Sequence, residues 1–243
     1  MTDAVERART VRAGALRQYA EETASCTKCA LAKGRTHVVF GSGNPDAELM
    51  FVGEAPGFHE DQQGLPFVGQ AGKLLDRLLE GIGLTRGDVM VVNVLKCRPP
   101  GNRDPMPEEI AACEPHLFRQ IELIEPTLVA TLGNFATKLL SGRPAGITRV
   151  HGQVQEVTLG ARRVLLYPLY HPAAALYTPS MLEVLESDFA RIPDLLSRAV
   201  EDTAGAFPDG AFPAGASPAG APADGLPALG AAEEIEAVQL GLF

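Results

Sequence analysis

Four cysteines constrain how this chain of 243 residues can fold. They are its whole complement of cysteine, spaced C-x2-C and, after 67 further residues, C-x15-C: Cys26, Cys29, Cys97 and Cys113. If the four thiolates meet, they tie the N-terminal part of the chain to its middle. Such a set can hold a tetrahedral zinc ion or an iron–sulfur cluster, although zinc ribbons usually have two close pairs. Disulfides are a third alternative, which we disfavour because nothing in the sequence looks secreted.

The net charge of −9 does not exclude a nucleic-acid partner, because the charge is unevenly distributed. All 21 Lys and Arg lie in residues 1–198, together with 23 of the 30 Asp and Glu. The only charged residues in 199–243 are the remaining Asp and Glu. Sixteen of the 21 bases are arginine, whose planar fork suits phosphate groups. The first 198 residues are therefore close to neutral, and a local basic face is compatible with their composition.

The N-terminal residues show a charged helical pattern without the apolar segment of a signal peptide. No apolar run is long enough to cross a bilayer. We therefore expect a cytoplasmic protein with no membrane partner.

Short apolar runs alternate with helical patterns along the chain. The runs predict buried strands at 49–52, 89–94, 127–132, 154–157 and 163–167. Helical spacing and helix-start signals predict helices over 4–22, 69–83, 107–125, from 134 and over 181–200. This alternation predicts an α/β fold with a central, mostly parallel sheet covered by helices on both faces.

The composition changes near residue 200 and predicts three segments. Residues 1–200 read as one globular domain. Residues 201–232 are dominated by Ala, Gly and Pro, so they cannot bury enough apolar surface to fold and are predicted to form a disordered linker. In residues 233–243, the predicted tail, large apolar residues return only at the end.

Unusual segments follow the predicted strands, at the edge of the sheet where α/β folds place their sites. The sequence GEAPG at 53–57 allows the backbone to approach a ligand, although an ordinary turn explains it equally well. Asn93 can donate and accept at once, as a base edge requires, but a strand-end asparagine also forms turns. His171 precedes a proline, which restricts its backbone, although a lone histidine is often structural.

Together these motifs resemble the family 4 uracil-DNA glycosylases over roughly residues 20–195. The resemblance rests on the cysteine spacing and on GEAPG at 53–57, GLPFVGQAG at 64–72, NVLKCRPPGNRDP at 93–105 and HPAA at 171–174. It implies a three-layer α/β/α fold and a monofunctional enzyme that removes uracil from DNA in base-excision repair. It also implies a [4Fe–4S] cluster on the four cysteines, with zinc as the alternative, and we expect a monomer associated with the nucleoid.

The resemblance implies roles for three residues, which simple chemistry explains. Phe67 stacks on the flipped uracil ring. Asn93 accepts from N3–H and donates to O4 of uracil, a pattern that cytosine does not offer. His171 donates to O2 as negative charge develops on the departing base.

The turn after the first strand and the residues beyond it contribute further candidates. The resemblance places Ala55 where family 1 glycosylases carry an Asp that helps the attacking water. Activation of the water is therefore weak or comes from another group, for which Glu54 is a candidate. The backbone of the turn, with Gly57, is predicted to hold the base. Glu60 is predicted to close the pocket against the methyl group of thymine.

Three residues are candidates for contact with DNA outside the pocket. Arg98 and Arg103 are predicted to meet phosphates, with a solvated charged loop as the alternative. Leu176 is predicted to fill the gap that the flipped base leaves.

The last five residues resemble the bacterial sliding-clamp-binding peptide Gln-Leu-x-Leu-Phe. Gln239 would form a hydrogen bond, while Leu240, Leu242 and Phe243 would fill an apolar pocket of the clamp. A coil of about 30 residues spans roughly 30 Å and would raise the concentration of the enzyme near DNA. A tail end without a partner is the alternative.

Two other classes of protein remain as alternative functions. An iron–sulfur electron carrier has no need of the asparagine, histidine and aromatic side chains. A non-catalytic protein that binds damaged DNA would use them without cleaving a bond.

Overall fold

The computed structural model describes residues 2–205, with side chains from residue 7 to residue 198. The predicted clamp-binding tail and the predicted linker beyond residue 205 lie outside the described residues. Among the described helices, none has the length and apolar character needed to span a membrane.

Six strands form one sheet. They are β1 (Ser42–Gly43), β2 (Leu49–Gly53), β3 (Met90–Asn93), β4 (Leu128–Leu132), β5 (Gln155–Leu159) and β6 (Arg162–Leu169). Their order in space is β1-β3-β2-β4-β6-β5. The four central strands run parallel, whereas β1 and β5 pair antiparallel at the two edges. The prediction of a mostly parallel sheet is confirmed.

Nine α-helices and two 3-10 turns surround this sheet in the described part of the chain. The helices are α1 (Thr2–Ala24), α2 (Phe58–Gln63), α3 (Gln70–Glu80), α4 (Pro107–Ile124), α5 (Asn134–Ser141), α6 (Ile147–Val150), α7 (Pro172–Ala175), α8 (Pro179–Ala190) and α9 (Ile192–Gly205). The 3-10 turns are Ala30–Lys33 and Pro100–Asn102.

The central strands are buried on both faces, which explains their unbroken apolar sequence. Alternate residues of β2 divide between two apolar clusters. Met50 and Val52 belong to the cluster that includes residues of α1 and α4. Leu49 and Phe51 belong to the cluster with α3, α8 and α9. The protein therefore has three layers, helix, sheet and helix, as predicted.

The sheet changes its winding direction at β2. In the sheet, β3 lies on one side of β2, whereas β4, the next strand along the chain, lies on the other side of β2. In open α/β sheets the carboxyl ends of the strands at such a switch point leave a crevice where ligands bind. The topology thus places a site at the ends of β2, β3 and β4.

The C-terminal helical region differs from the single helix predicted over 181–200. It is divided into α8 and α9 at Arg191. Pro193 has no N–H to donate to the carbonyl of Phe189, which favours a break in the helix at this point. The helical backbone of α9 continues to Gly205, beyond the predicted domain boundary at residue 200.

Candidate active site

The predicted site segments meet at the carboxyl ends of the parallel strands. Gly53 at the end of β2 pairs with Asn93 at the end of β3. At the ends of β4 and β6, the N–H of Gly133 donates to the carbonyl of Leu169 at 2.9 Å, and His171 follows two residues later. The sequence motifs at 53–57, 93 and 171 therefore converge on one edge of the sheet.

Asn93 presents an unpaired polar group at this edge. The residue is 2% exposed, and its side-chain Oδ1 has no hydrogen-bond partner. A buried acceptor without a partner is costly and uncommon in folded proteins. The amide is therefore available to a ligand.

Gly53 makes room for this arrangement. A Cβ atom at this position would lie 2.3 Å from Oδ1 of Asn93 and 2.7 Å from Cζ of Phe67. No side chain fits there without moving one of the two. The sequence does not identify Gly53 as a site residue, because a glycine in a turn motif carries no sign of what will pack against it.

Phe67 is held against the pocket in a strained conformation. Its φ of 55° lies in the left-handed region, which costs a bulky residue about 1–3 kcal/mol. Its carbonyl accepts from Nη2 of Arg86 at 2.9 Å. Its ring stacks on the ring of His171, with centroids 5.5 Å apart and planes 27° from parallel. The structure thus brings the predicted aromatic and imidazole groups together.

Glu60 organises the loop that carries Phe67. Its Oε1 accepts from the N–H groups of Val68 and Gly69, each at 3.0 Å. These bonds fix the backbone directly after Phe67. The structure does not test the predicted role of Glu60 in excluding thymine, which stays a prediction.

His171 is held as a neutral donor. The N–H of Ala173 donates to Nδ1 of His171 at 3.1 Å, so the hydrogen of the neutral ring sits on Nε2. Enclosure of the ring lowers the pKa of His171 to about 4, while the negative charge of Glu60 opposes this shift. At neutral pH the imidazole is therefore uncharged and able to donate from Nε2.

The turn after β2 carries the other candidates. Burial, together with the charge of Asp104, raises the pKa of Glu54 to about 7. Ala55 packs partly buried against the apolar cluster. Gly57 precedes α2, and a Cβ there would lie 2.7 Å from Oε2 of Glu60. A carboxyl that titrates near neutral pH is suited to accept a proton.

The four cysteines line a single cavity and form no disulfide. Three of their sulfur atoms have a nitrogen neighbour. Nη1 of Arg35 donates to Sγ of Cys97 at 3.4 Å, and the N–H of Lys96 donates to Sγ of Cys113 at 3.2 Å. Nε2 of His116 lies 3.4 Å from Sγ of Cys26.

The cavity has the donor chemistry of a site for a thiolate-bound metal centre. Its other lining residues include Lys28, Arg35 and Lys96 and no Asp or Glu, so it is suited to a negatively charged group. Burial raises the pKa of the thiol of Cys113 to about 11 and also raises that of Cys97, and a bound metal would counter this shift by holding the thiolates. Among the side chains from 7 to 198, no three His, Cys, Asp or Glu are grouped so as to bind a single metal ion.

The candidates for DNA contact differ in their surroundings. The guanidinium of Arg98 lies 5.1 Å from the centre of the Phe58 ring, which is 52% exposed. Arg103 instead forms a bidentate ion pair with Glu109, at 2.9 and 2.5 Å. A bond to phosphate would have to compete with this pair. Contact of either arginine with DNA stays a prediction.

The predicted wedge Leu176 is partly buried against the apolar cluster of α3 and α8. Its neighbour Tyr177 is 69% exposed. The insertion of Leu176 into DNA is not tested by the structure and stays a prediction.

Known proteins have sequences similar to that of this chain. Residues 40–197 match the family described as the Uracil DNA glycosylase superfamily. A protein of Sulfurisphaera tokodaii named Type-4 uracil-DNA glycosylase is 48% identical over 74% of this chain and 84% of its own length. Proteins of the same name from Saccharolobus solfataricus and Archaeoglobus fulgidus are each 49% identical over 73% of this chain, and over 85% and 91% of their own lengths. The chain belongs to the uracil-DNA glycosylase superfamily.

Proposed function

We propose that this protein is a uracil-DNA glycosylase, which flips uracil out of DNA and hydrolyses its N-glycosidic bond to leave an abasic site in base-excision repair. The buried, unpaired amide oxygen of Asn93 is the observation that carries the proposal. It lies at the same sheet edge as a neutral imidazole and an aromatic ring. The names of the three relatives support the same reaction.

The Asn93 amide provides the recognition of uracil. Its Oδ1 accepts from N3–H, and its amide nitrogen donates to O4. Cytosine has an acceptor at N3 and a donor at C4, so it would leave the amide unpaired in this orientation, at a cost of about 1–3 kcal/mol. Phe67 supplies the apolar face against which the flipped ring stacks.

His171 stabilises the leaving group. When the N-glycosidic bond breaks, its electron pair stays with uracil and negative charge develops on O2. The Nε2–H of His171 is already oriented as a donor because Nδ1 is occupied by the N–H of Ala173. One such donor in an enclosed site contributes about 3–4 kcal/mol to the transition state.

Glu54 is the candidate base for the attacking water. Its carboxylate can take a proton from water as the oxygen bonds to the sugar carbon that uracil leaves. The raised pKa of Glu54 brings the group close to neutral pH, where a base is most effective. Ala55 cannot perform this task because it has no titratable group.

The cofactor that we propose is a [4Fe–4S] cluster held by Cys26, Cys29, Cys97 and Cys113. When bound, the cluster would be a covalent tie between the segment after α1, the end of β3 and α4. The N–H groups of Arg35 and Lys96 donate to the sulfurs of two of its ligands. The basic lining of the cavity would offset the negative charge of four thiolates.

Further proposals concern partners. We propose that the protein acts as a monomer in the nucleoid. We expect Arg98 and Leu176 to contact DNA, and their replacement by Ala should weaken binding to abasic DNA. The sequence at 239–243 supports binding to a bacterial sliding clamp.

The central prediction concerns excision. The cluster-loaded full chain should release uracil from a duplex with one uracil opposite guanine, in a single-turnover assay. His171→Ala should lower the rate roughly 100- to 1000-fold because one donor to the leaving group is lost. His37→Ala, which removes an exposed histidine, should leave the rate unchanged. A protein that binds this duplex without forming abasic sites would be the non-catalytic alternative, and full activity of His171→Ala would refute the role of the imidazole.

A second prediction concerns pH. A Glu54 carboxylate that acts as the base must be ionised, so the single-turnover rate should rise with pH through about 7 and then level off. Asp104→Asn should move this rise to lower pH because it removes a negative charge near Glu54. Glu54→Gln should abolish the rise and leave a slow, flat profile. If the Gln variant keeps both the rate and its pH dependence, another group activates the water.

A third prediction concerns the metal centre. The purified protein should be brown and should contain iron and inorganic sulfide in equal amounts, about four of each per chain. Cys113→Ser should lose the visible absorbance and lower the thermal midpoint of unfolding. A colourless wild-type protein that carries one zinc ion would overturn the cluster and leave the excision chemistry untouched.

A fourth prediction concerns the tail. Deletion of residues 239–243 should abolish binding to a bacterial sliding clamp, measured by surface plasmon resonance. Excision from short free oligonucleotides should be unchanged, because none of the residues that we place in the pocket lies in this segment. Clamp binding that survives the deletion would show that the peptide is not the binding element.

A further inference from the structure

Lys96 is a buried lysine between the cysteine cavity and the pocket. It is 2% exposed and lines the cavity beside Cys113. Its Nζ donates to the backbone carbonyl of Asn93 at 2.7 Å, while its own N–H donates to Sγ of Cys113 at 3.2 Å. One residue therefore contacts both the metal-centre candidate and the residue that recognises the base.

The peptide bond between Asn93 and Val94 is held at both of its polar groups. The N–H of Val94 donates to the carbonyl of Gly53 at 2.9 Å, and Nζ of Lys96 donates to the carbonyl of Asn93. The Asn93 side chain branches next to this peptide, so a rotation of the peptide would turn the side-chain amide away from the pocket. The hydrogen bond from Lys96 prevents this rotation.

The charge of Lys96 has no carboxylate partner. None of the ion pairs among the side chains from 7 to 198 includes Lys96. A buried ammonium group is costly unless an anion compensates it. The cavity beside it is lined by four cysteines, which become thiolates when they bind a metal centre. The anion that suits Lys96 is therefore that centre.

We infer that Lys96 is a positioning residue that links the anionic cysteine centre to the base-recognition amide of Asn93. The inference rests on the proposed function, including its cysteine-bound cofactor. The centre compensates the ammonium, the ammonium holds the Asn93 carbonyl, and the fixed peptide directs Oδ1 towards N3–H of uracil. The cofactor thereby supports recognition of the base without contacting it.

The test uses free uracil as the probe, because its binding reports on the amide and does not require excision of a base from DNA. In Lys96→Met protein with the metal content of the wild type, the dissociation constant of uracil, measured by calorimetry, should rise roughly tenfold to a hundredfold. The value of kcat/KM for uracil excision should fall by a similar factor, while affinity for DNA with an abasic site should not change. Lys138→Met, which removes an exposed lysine of α5, should behave as the wild type.

A double-mutant cycle separates positioning from general damage to the fold. If Lys96 acts through Asn93, then Lys96→Met should add little to the loss caused by Asn93→Ala. Losses of uracil affinity that multiply, or an unchanged dissociation constant of uracil in Lys96→Met, would overturn the inference. Should Lys96→Met fail to fold or to load metal, Lys96→Gln is judged by the same criteria. A wild type without excision activity would refute the proposed function instead, which keeps the two failures distinct.

Discussion

The missing side chain of Gly53 is the constraint on which the pocket depends. Parallel pairing places this residue directly beside Asn93, and the absence of a Cβ admits both the asparagine amide and the edge of the Phe67 ring. Gly72 is required for the same reason, because a Cβ at this position would lie 1.7 Å from the carbonyl oxygen of Phe67. The strained backbone of Phe67 is held by Arg86 and by the contacts of Glu60 with the next two N–H groups. Recognition of a planar base thus follows from how closely three segments of backbone can pack.

The site and the cysteine cavity differ in their electrostatics. The pocket keeps His171 neutral and raises the pKa of Glu54, so it offers an uncharged donor to a developing anion and a base near neutral pH. In the cysteine cavity, by contrast, basic residues lie around the four thiols. Lys96 lies where the two regions meet, so the proposed metal centre would support base recognition without contacting the base.

Much of the fold could be predicted from the sequence because buried parallel strands are short apolar runs, and β2, β3 and β4 are such runs. The site motifs could be located because they follow or end β2, β3 and β6. Individual contacts of side chains in the irregular segments could not be predicted: the sequence does not indicate that Lys96 reaches the Asn93 carbonyl, or that Arg103 pairs with Glu109. The bonds of Glu60 to the N–H groups that follow Phe67 likewise have no local signal, and they leave its predicted role against thymine untested. The division of the last helix did have a local signal, since Pro193 interrupts it.

The central claim is that an unpaired amide and a neutral imidazole recognise uracil together. A crystal structure of the cluster-loaded protein with free uracil tests it most directly. The account predicts that Oδ1 of Asn93 lies within hydrogen-bond distance of N3, that Nε2 of His171 lies within the same distance of O2, and that the base stacks on Phe67. Uracil bound with its N3 edge facing away from Asn93, or bound outside this pocket, would contradict the account.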